Sequence, residues 1–323
     1  MYDGAHIAGR TCLRVPETET VESPGKSRLG KTRMKRLLLL AVTLILAAPA
    51  LAAAAGRIDI VAAENFYGDV AGQIGGSRVE VSSILNNPAM NPHLFEVSPS
   101  VARAVSRAQI VIYNGIDYDP WMPKLLAAAR NTRRTAIDVA ALADRHPGDN
   151  PHIWYDTNTM LAMARALAQA LAGADPAHQA GYLRRLAQFQ RSMQPIQARI
   201  SALRTRLAGM PVTATEPVFG YMFEALGMQV RNHSFQLAVM NGTEPGASEV
   251  AAFENDLRKR RVRLLVYNSQ TSDPLTDRMR RLAKASGIPV LAVSETEPPG
   301  TTYQTWMMGE LDAVDRALGA SHR

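Results

Sequence analysis

The chain has 323 residues, of which 46% are hydrophobic and 20% are charged, and its formal net charge is +7 at pH 7. This length suits one large or two medium domains, and the composition excludes a protein that is disordered over most of its length. The only cysteine is Cys12, which excludes a disulfide framework and a zinc site built from several thiolates.

The N-terminus predicts a secretion signal. Lys35-Arg36 precede an apolar run, 37–48, that leads to a small-residue cleavage site after Ala52. A membrane anchor is the alternative, but the apolar run is shorter than the roughly 20 residues of a spanning helix. Met34 opens the signal directly, so we expect it to be the true start. Ala53 stands where a lipid-anchored protein would carry cysteine, and we therefore expect a free periplasmic product.

Much of the positive charge belongs to this N-terminal segment. Residues 1–52 contain eight Lys or Arg and four Asp or Glu, so their removal lowers the net charge to +3. The charge therefore gives no reason to expect a nucleic-acid partner. We expect the mature protein to be a monomer.

The segment from 57 to 139 alternates short β-branched runs with amphipathic stretches, which indicates a parallel sheet with helices on its faces. The pattern predicts strands at 58–63, 79–85, 109–113 and 135–139, and helices at 65–74, 98–107 and 121–130.

The middle of the chain predicts helices only. One helix is expected at 158–172, and Asp175-Pro176 should begin a second helix of about 30 residues, roughly 45 Å long. Pro195 is expected to kink that helix, because proline removes one backbone donor and crowds the preceding turn.

After Gly209 the alternation returns, with strands predicted at 212–215, 229–231, 264–267 and 290–293 and helices at 219–226, 247–260, 273–285 and 304–318. The predicted fold class is α/β, with two lobes, each a parallel sheet flanked by helices, joined by a long backbone helix. The predicted boundaries are 1–52 for the upstream extension and signal peptide, 53–156 for the N-terminal lobe, 157–208 for the linking helices and 209–323 for the C-terminal lobe.

Two histidines follow Asn-Pro pairs. His93 comes after the second predicted strand and His152 after the fourth, although the chain has only 7 histidines. Proline fixes its own φ and keeps the preceding residue extended, so each imidazole is held at a defined angle in its loop. A neutral imidazole is a good ligand for zinc or manganese. Two unrelated surface turns are the alternative, but the pairing favours metal ligands.

Two acids occupy matching positions in the second lobe. Glu216 follows its first predicted strand and Glu295 its last. Ligands of open parallel sheets bind beyond the carboxyl ends of the strands, so two imidazoles and two carboxylates are expected to converge between the lobes. Glu216 is equally well explained as an acid at a helix N-terminus. Glu297 competes with Glu295 for the role of fourth ligand.

Other polar and aromatic residues have a weaker claim on the site. His146 and His233 are better explained as loop histidines than as ligands. Several further side chains lie at strand or loop ends, where they would shape a cleft or simply pack: Tyr67, Asn114, Tyr118, Trp154 and Asn268.

These features resemble the metal-binding receptors of ABC importers, the ZnuA/TroA-like or cluster A-I family. The resemblance covers about 57–318 and rests on the segment 63–67, the Pro-His-x-x-Glu-x-x-Pro-Ser run at 92–100 and the segment 151–156. It implies His93 and His152 as the first two ligands. Glu216 falls where members carry His or Glu, and Glu295 where most carry Asp.

The chain departs from the family pattern in three ways. Glu295 replaces the usual Asp, both histidines follow Asn-Pro where members commonly have Asp-Pro, and the His- and acid-rich loop of many zinc receptors is lacking.

The resemblance implies a periplasmic receptor, not an enzyme, that captures one divalent transition-metal ion and delivers it to the membrane permease of an ABC importer. The ion is expected to be Zn²⁺ or Mn²⁺, and the ligand types do not decide between them. Two alternatives remain open: a secreted metal-dependent hydrolase with a site of two histidines and two carboxylates, and a receptor for an organic solute.

Overall fold

The computed structural model describes residues 56–89, 92, 95–129, 131–271 and 273–319. The predicted signal peptide, its cleavage site and the expected start at Met34 lie outside the described residues, and so does His93. Within these ranges, no helix combines the length and apolar character needed to cross a membrane.

The first lobe contains a parallel sheet of four strands, in the order β2-β1-β3-β4. The strands are β1 Ile58–Glu64, β2 Val79–Leu85, β3 Ile110–Tyr113 and β4 Thr135–Asp138. Strand β1 is central, and all of its residues except Asp59 are buried, as expected of a strand covered on both faces. Because every pairing is parallel, all four carboxyl ends lie at one edge.

The second lobe repeats this arrangement. Its parallel sheet has the order β6-β5-β7-β8, with strands β5 Pro211–Ala214, β6 Gln229–Arg231, β7 Leu265–Asn268 and β8 Val290–Val293. Glu216 therefore lies just beyond β5 and Glu295 just beyond β8. The predicted α/β class, with two lobes of parallel strands, is confirmed.

Helices cover both sheets close to the predicted positions. In the first lobe they are α1 Asn65–Gly75, α2 Pro99–Arg107, α3 Trp121–Ala128 and α4 Val139–Leu142. Helix α2 begins as the sequence suggests: the Ser98 hydroxyl accepts a hydrogen bond from the Val101 amide, and Pro99 occupies the first helical position.

Two long helices connect the lobes, α5 Thr157–Ala174 and α6 Gln179–Leu207. Helix α6 continues through Pro195. Its apolar stripe is buried at helical spacing, as shown by Tyr182, Phe189, Met193, Ile196 and Leu203.

Helix α6 is also bonded to both lobes. The Arg185 guanidinium donates to the carbonyls of Ile74 and Gly75 at 2.6 and 2.9 Å and so caps the end of α1. Near its other end, Arg199 forms an ion pair with Asp312 at 2.8 Å.

The helices of the second lobe are α7 Gly220–Ala225, α8 His233–Met240, α9 Ala247–Arg258, α10 Pro274–Ala285 and α11 Tyr303–Gly319. Helix α8 was not predicted. It begins after Asn232, whose φ is 60°, and no side chain caps it, so the segment lacks the usual N-terminal signals.

One buried apolar cluster runs through both lobes. At their junction Phe66 lies 4.8 Å from Trp154, and Tyr155 lies 5.0 Å from Phe219, measured between ring centroids. The Tyr303 hydroxyl of the second lobe also donates to the Trp154 carbonyl at 2.7 Å. A large buried junction of this kind opposes wide hinge opening between the lobes.

Candidate metal centre

His152 is fully buried beyond β4, immediately before a 3₁₀ turn at Ile153–Tyr155. Its Nδ1 lies 2.6 Å from Oδ1 of Asn150, and the Asn150 Nδ2 donates to the Pro217 carbonyl at 2.7 Å. A carbonyl oxygen only accepts, so the amide nitrogen faces Pro217 and the amide oxygen faces the imidazole. Because that oxygen also only accepts, Nδ1 must carry the hydrogen, which in the neutral imidazole leaves the lone pair on Nε2.

The Nε2 atom of His152 is buried without a hydrogen-bond partner. It lies 3.7 Å from Oε2 of Glu295, which comes from the opposite lobe. A buried lone pair that faces a carboxylate oxygen is costly unless a donor or a cation satisfies both atoms. The arrangement therefore suits a cation held between the two side chains.

Glu295 is fully buried and is held by groups from both lobes. Its Oε2 accepts a hydrogen bond from the Tyr118 hydroxyl at 2.9 Å, and its Oε1 accepts one from the amide of Asn268. Its main-chain N–H donates to Oε1 of Gln270 at 2.6 Å. These bonds orient the carboxylate and the main chain beside it.

Glu216 is 3% exposed and shares a hydrogen-bond donor with Glu295. Its Oε2 accepts from Asn268 Nδ2 at 3.4 Å, and its Oε1 accepts from the Thr271 hydroxyl. Burial raises the pKa of Glu216, and the charge of Glu295 adds to this, whereas Thr271, His152 and Asn268 act in the opposite direction. Two neighbouring buried carboxylates are stabilised in their charged form by a cation.

Glu216 does not act as a hydrogen-bonding cap of the turn that follows it. It precedes a 3₁₀ turn at Pro217–Phe219, but its side chain makes no capping hydrogen bond to that turn. The carboxylate is directed to Asn268 and Thr271 instead.

The structure also separates the two acids that the sequence left in competition. Glu297 turns toward α1, where its N–H donates to Asn65 Oδ1 at 3.0 Å and its carbonyl accepts from Asn65 Nδ2 at 2.7 Å. Burial raises the pKa of Glu297 to about 8, and the Asp69 charge contributes. Glu295 is the acid that approaches His152.

Three of the four predicted ligands thus lie in one buried network, and the fourth, His93, lies outside the described residues. Within the described part of the chain, no group of three or more His, Cys, Asp or Glu side chains has the spacing of a metal site. The ligand set His93, His152, Glu216 and Glu295 therefore stays a prediction.

The residues expected to shape the cleft support the His152 loop. The Tyr67 hydroxyl donates to Asn114 Oδ1 at 2.8 Å, and Asn114 Nδ2 donates to the Pro151 carbonyl at 2.9 Å. Trp154 packs edge-on against His152 at 5.2 Å between ring centroids. His146 and His233 are exposed.

Sequence reasoning missed two groups of residues. Gln270 and Thr271 bind the strand-end acids, and the signal that would have found them is the polar run 268–271 at the end of β7.

The second is the fully buried Glu64, which ends β1. Burial and then the charge of Asp119 raise its pKa well above the usual range.

The chain belongs to the family of the periplasmic zinc-uptake complex component A, whose model matches residues 60–317. The two relatives that follow carry the names of substrate-binding proteins, not of enzymes. The manganese ABC transporter substrate-binding lipoprotein PsaA of Streptococcus pneumoniae (strain TIGR4) is 23% identical over 315 residues, which covers 88% of this chain and 99% of that protein. The metal ABC transporter substrate-binding lipoprotein SloC of Streptococcus mutans is 24% identical, covering 81% and 90%.

Solved structures agree on the fold. The periplasmic zinc-binding protein TroA of Treponema pallidum superposes with a TM-score of 0.69 at 18% identity, covering 81% of this chain and 99% of that one. The substrate-binding protein FpvC of Pseudomonas aeruginosa, solved with Mn²⁺, gives a TM-score of 0.66 at 19% identity, covering 82% and 99%. Both chains share the two-lobed architecture described above.

Proposed function

We propose that this protein is the substrate-binding component of a metal ABC importer and that its cargo is one divalent transition-metal ion, Zn²⁺ or Mn²⁺. The observation that carries the proposal is the buried Nε2 of His152, without a partner and 3.7 Å from Glu295 Oε2 of the opposite lobe. The family supports a receptor over a hydrolase or a receptor for an organic solute.

We propose His93, His152, Glu216 and Glu295 as the ligands. Two neutral imidazoles and two carboxylates replace the water shell of the ion, and no bond of a substrate is broken. The set suits both candidate ions: carboxylates favour manganese, whereas raw affinity favours zinc.

The processing, location and oligomeric state of the protein are part of the same proposal. We place the cleavage of the signal peptide after Ala52, so that the mature protein is periplasmic and monomeric, and it delivers the ion to a membrane permease. The lobes would span 53–156 and 209–323, with linking helices at 157–208.

The experiment is titration calorimetry of the metal-stripped mature protein with Zn²⁺ and Mn²⁺ in turn. We expect one site per chain, and affinity lowered by orders of magnitude in His93→Ala and His152→Ala. The exposed His233→Ala is the matched control and should bind as the wild type does. If the protein bound neither Zn²⁺ nor Mn²⁺, the proposal would be ruled out.

A further inference from the structure

Asn150 makes hydrogen bonds to both lobes from a single residue. Its Oδ1 accepts from the His152 N–H at 3.1 Å and lies 2.6 Å from the imidazole Nδ1. Its Nδ2 donates to the Pro217 carbonyl at 2.7 Å, and its own carbonyl accepts from the Tyr221 hydroxyl at 2.7 Å. Pro217 and Tyr221 belong to the second lobe, and Pro217 directly follows Glu216.

A second observation shows how closely the Asn150 amide is fitted to that lobe. A Cβ atom placed on Gly220 would lie 2.6 Å from Asn150 Nδ2. The backbone of Gly220 is ordinary for a helix, with φ −57° and ψ −51°, so conformational freedom does not require glycine there. The residue is small because the Asn150 amide occupies the space of a side chain.

We infer that Asn150 is a positioning residue of the metal site, which fixes the His152 tautomer with Nε2 free and holds His152 in register with Glu216. The predicted effect of Asn150 on metal affinity rests on the proposed function. The predicted effect on the His152 tautomer does not, because the tautomer is a property of the metal-free protein.

The chemistry explains why asparagine serves here. Its amide has an acceptor for Nδ1–H and a donor for the Pro217 carbonyl, so one side chain satisfies both lobes. An aspartate would keep the acceptor but would place a second acceptor oxygen against the Pro217 carbonyl. An alanine would remove both bonds and leave the tautomer undefined.

These differences define three variants and a control. Asn150→Ala removes both contacts, Asn150→Asp removes only the contact to Pro217, and Gly220→Ala displaces the amide without changing its chemistry. The control is Asn86→Ala, because Asn86 is exposed and its amide bonds only to the nearby Ser83 carbonyl at 3.1 Å.

The first measurement is the ¹⁵N spectrum of the histidine side chains in metal-free protein, with His152 assigned from His152→Ala. We expect the Nδ1–H tautomer in the wild type, Asn150→Asp and the control, and a mixture of tautomers in Asn150→Ala. The second measurement is Zn²⁺ affinity by chelator competition. We expect a loss of about 10- to 100-fold in Asn150→Ala and smaller losses in Asn150→Asp and Gly220→Ala.

The outcomes separate the possible failures. A wild-type tautomer in Asn150→Ala would overturn the inference, whatever the metal affinity, because Asn150 would then be only a structural cross-link. Wild-type affinity in all three variants would also overturn it. If the wild type bound no metal, the proposed function would fail, and the tautomer spectra would still decide the role of Asn150. If Asn150→Ala did not fold, the other two variants would decide. Wild-type metal affinity in both Asn150→Asp and Gly220→Ala would then overturn the inference about Asn150.

Discussion

The hydroxyl of Tyr118 donates to Oε2 of Glu295 at 2.9 Å, joining a loop of the first lobe to the strand-end acid of the second. Tyr118 is 4% exposed and packs edge-on against Trp154 at 4.9 Å between centroids. The carboxylate proposed as a ligand is thus oriented by the lobe that also carries His152. Such supporting bonds restrict the directions in which a ligand can face the ion.

Replacing Tyr118 by Phe should weaken metal binding. The aromatic packing stays, but Glu295 loses its bond from the first lobe, so we expect an affinity loss of about 10-fold and a stability loss of about 1 kcal/mol. Calorimetric titration and thermal unfolding check the two quantities. Tyr113→Phe is a matched control, because that hydroxyl donates to Asp138 at 3.1 Å. Equal effects of the two variants on affinity would contradict the role of Tyr118.

Replacing Asn268 by Ala should destabilise the metal-free protein more than the metal-bound one. Its amide is the shared donor to the carboxylates of Glu216 and Glu295, and without it both acids lose a buried hydrogen bond. We expect a loss of about 1–3 kcal/mol without metal. A bound cation should recover part of it, because it stabilises the same charges. Unfolding scans with and without Zn²⁺ test this, and an identical loss in both states would speak against a cation at these carboxylates.

Metal affinity should fall in acid, and Glu216 should contribute to the fall. Burial raises the pKa of Glu216, so this carboxyl gains a proton at a higher pH than an exposed glutamate does. Protons then compete with the ion for the same oxygens. We expect a weaker pH dependence of affinity above the ordinary pKa of glutamate in Glu216→Gln, besides a lower affinity throughout. The exposed Glu244 supplies the control Glu244→Gln, and an unchanged slope in Glu216→Gln would exclude the acid as a ligand.

Stability should also depend on Glu310, a buried acid that is not among the proposed ligands. Burial raises the pKa of Glu310 to about 7, although the Trp306 indole, which donates to it at 3.1 Å, acts in the opposite direction. A raised pKa means that the folded state binds the proton more tightly than the unfolded state. The stabilisation is therefore complete below the ordinary glutamate pKa and is lost as the pH rises through about 7.

Glu310→Gln removes this titration and keeps an acceptor for Trp306. Relative to this variant, the metal-free wild type should lose about 1–3 kcal/mol between about pH 4.5 and about pH 8. Denaturant unfolding at several pH values measures the difference. Parallel stability curves for the two proteins would show that Glu310 does not titrate with folding.

The fold could be predicted from the sequence because its signals are local. β-Branched runs such as 58–63 and 290–293 specify strands, and Ser98-Pro99 and Asp175-Pro176 mark where helices begin. Helix α8 was missed because the segment after Asn232 carries no such mark. The sequence also did not tell which of Glu295 and Glu297 approaches His152, since both follow the same strand. In the folded chain Asn65, 232 residues from Glu297, binds the Glu297 backbone, whereas Glu295 Oε2 lies 3.7 Å from His152 Nε2.

The sequence singled out the candidate ligands, but not the residues that support them. Asn150-Pro151-His152 stands out in the sequence, but the second bond of Asn150 requires the Pro217 carbonyl of the other lobe, which only the folded chain brings within 2.7 Å. The same holds for Thr271, whose hydroxyl donates to Glu216 at the carboxyl edge of the second sheet. Contacts between distant segments set the geometry: the polar run 268–271 marks Thr271 but does not show that its partner is Glu216.

The most direct test of the account is anomalous diffraction from a crystal of the mature protein loaded with Zn²⁺, collected at the zinc absorption edge. We expect one strong peak about 2.0–2.2 Å from Nε2 of His152 and from oxygens of Glu216 and Glu295, with His93 completing the set. A peak bound instead to exposed histidines such as His146 or His233, with His152 Nε2 left unliganded, would contradict it.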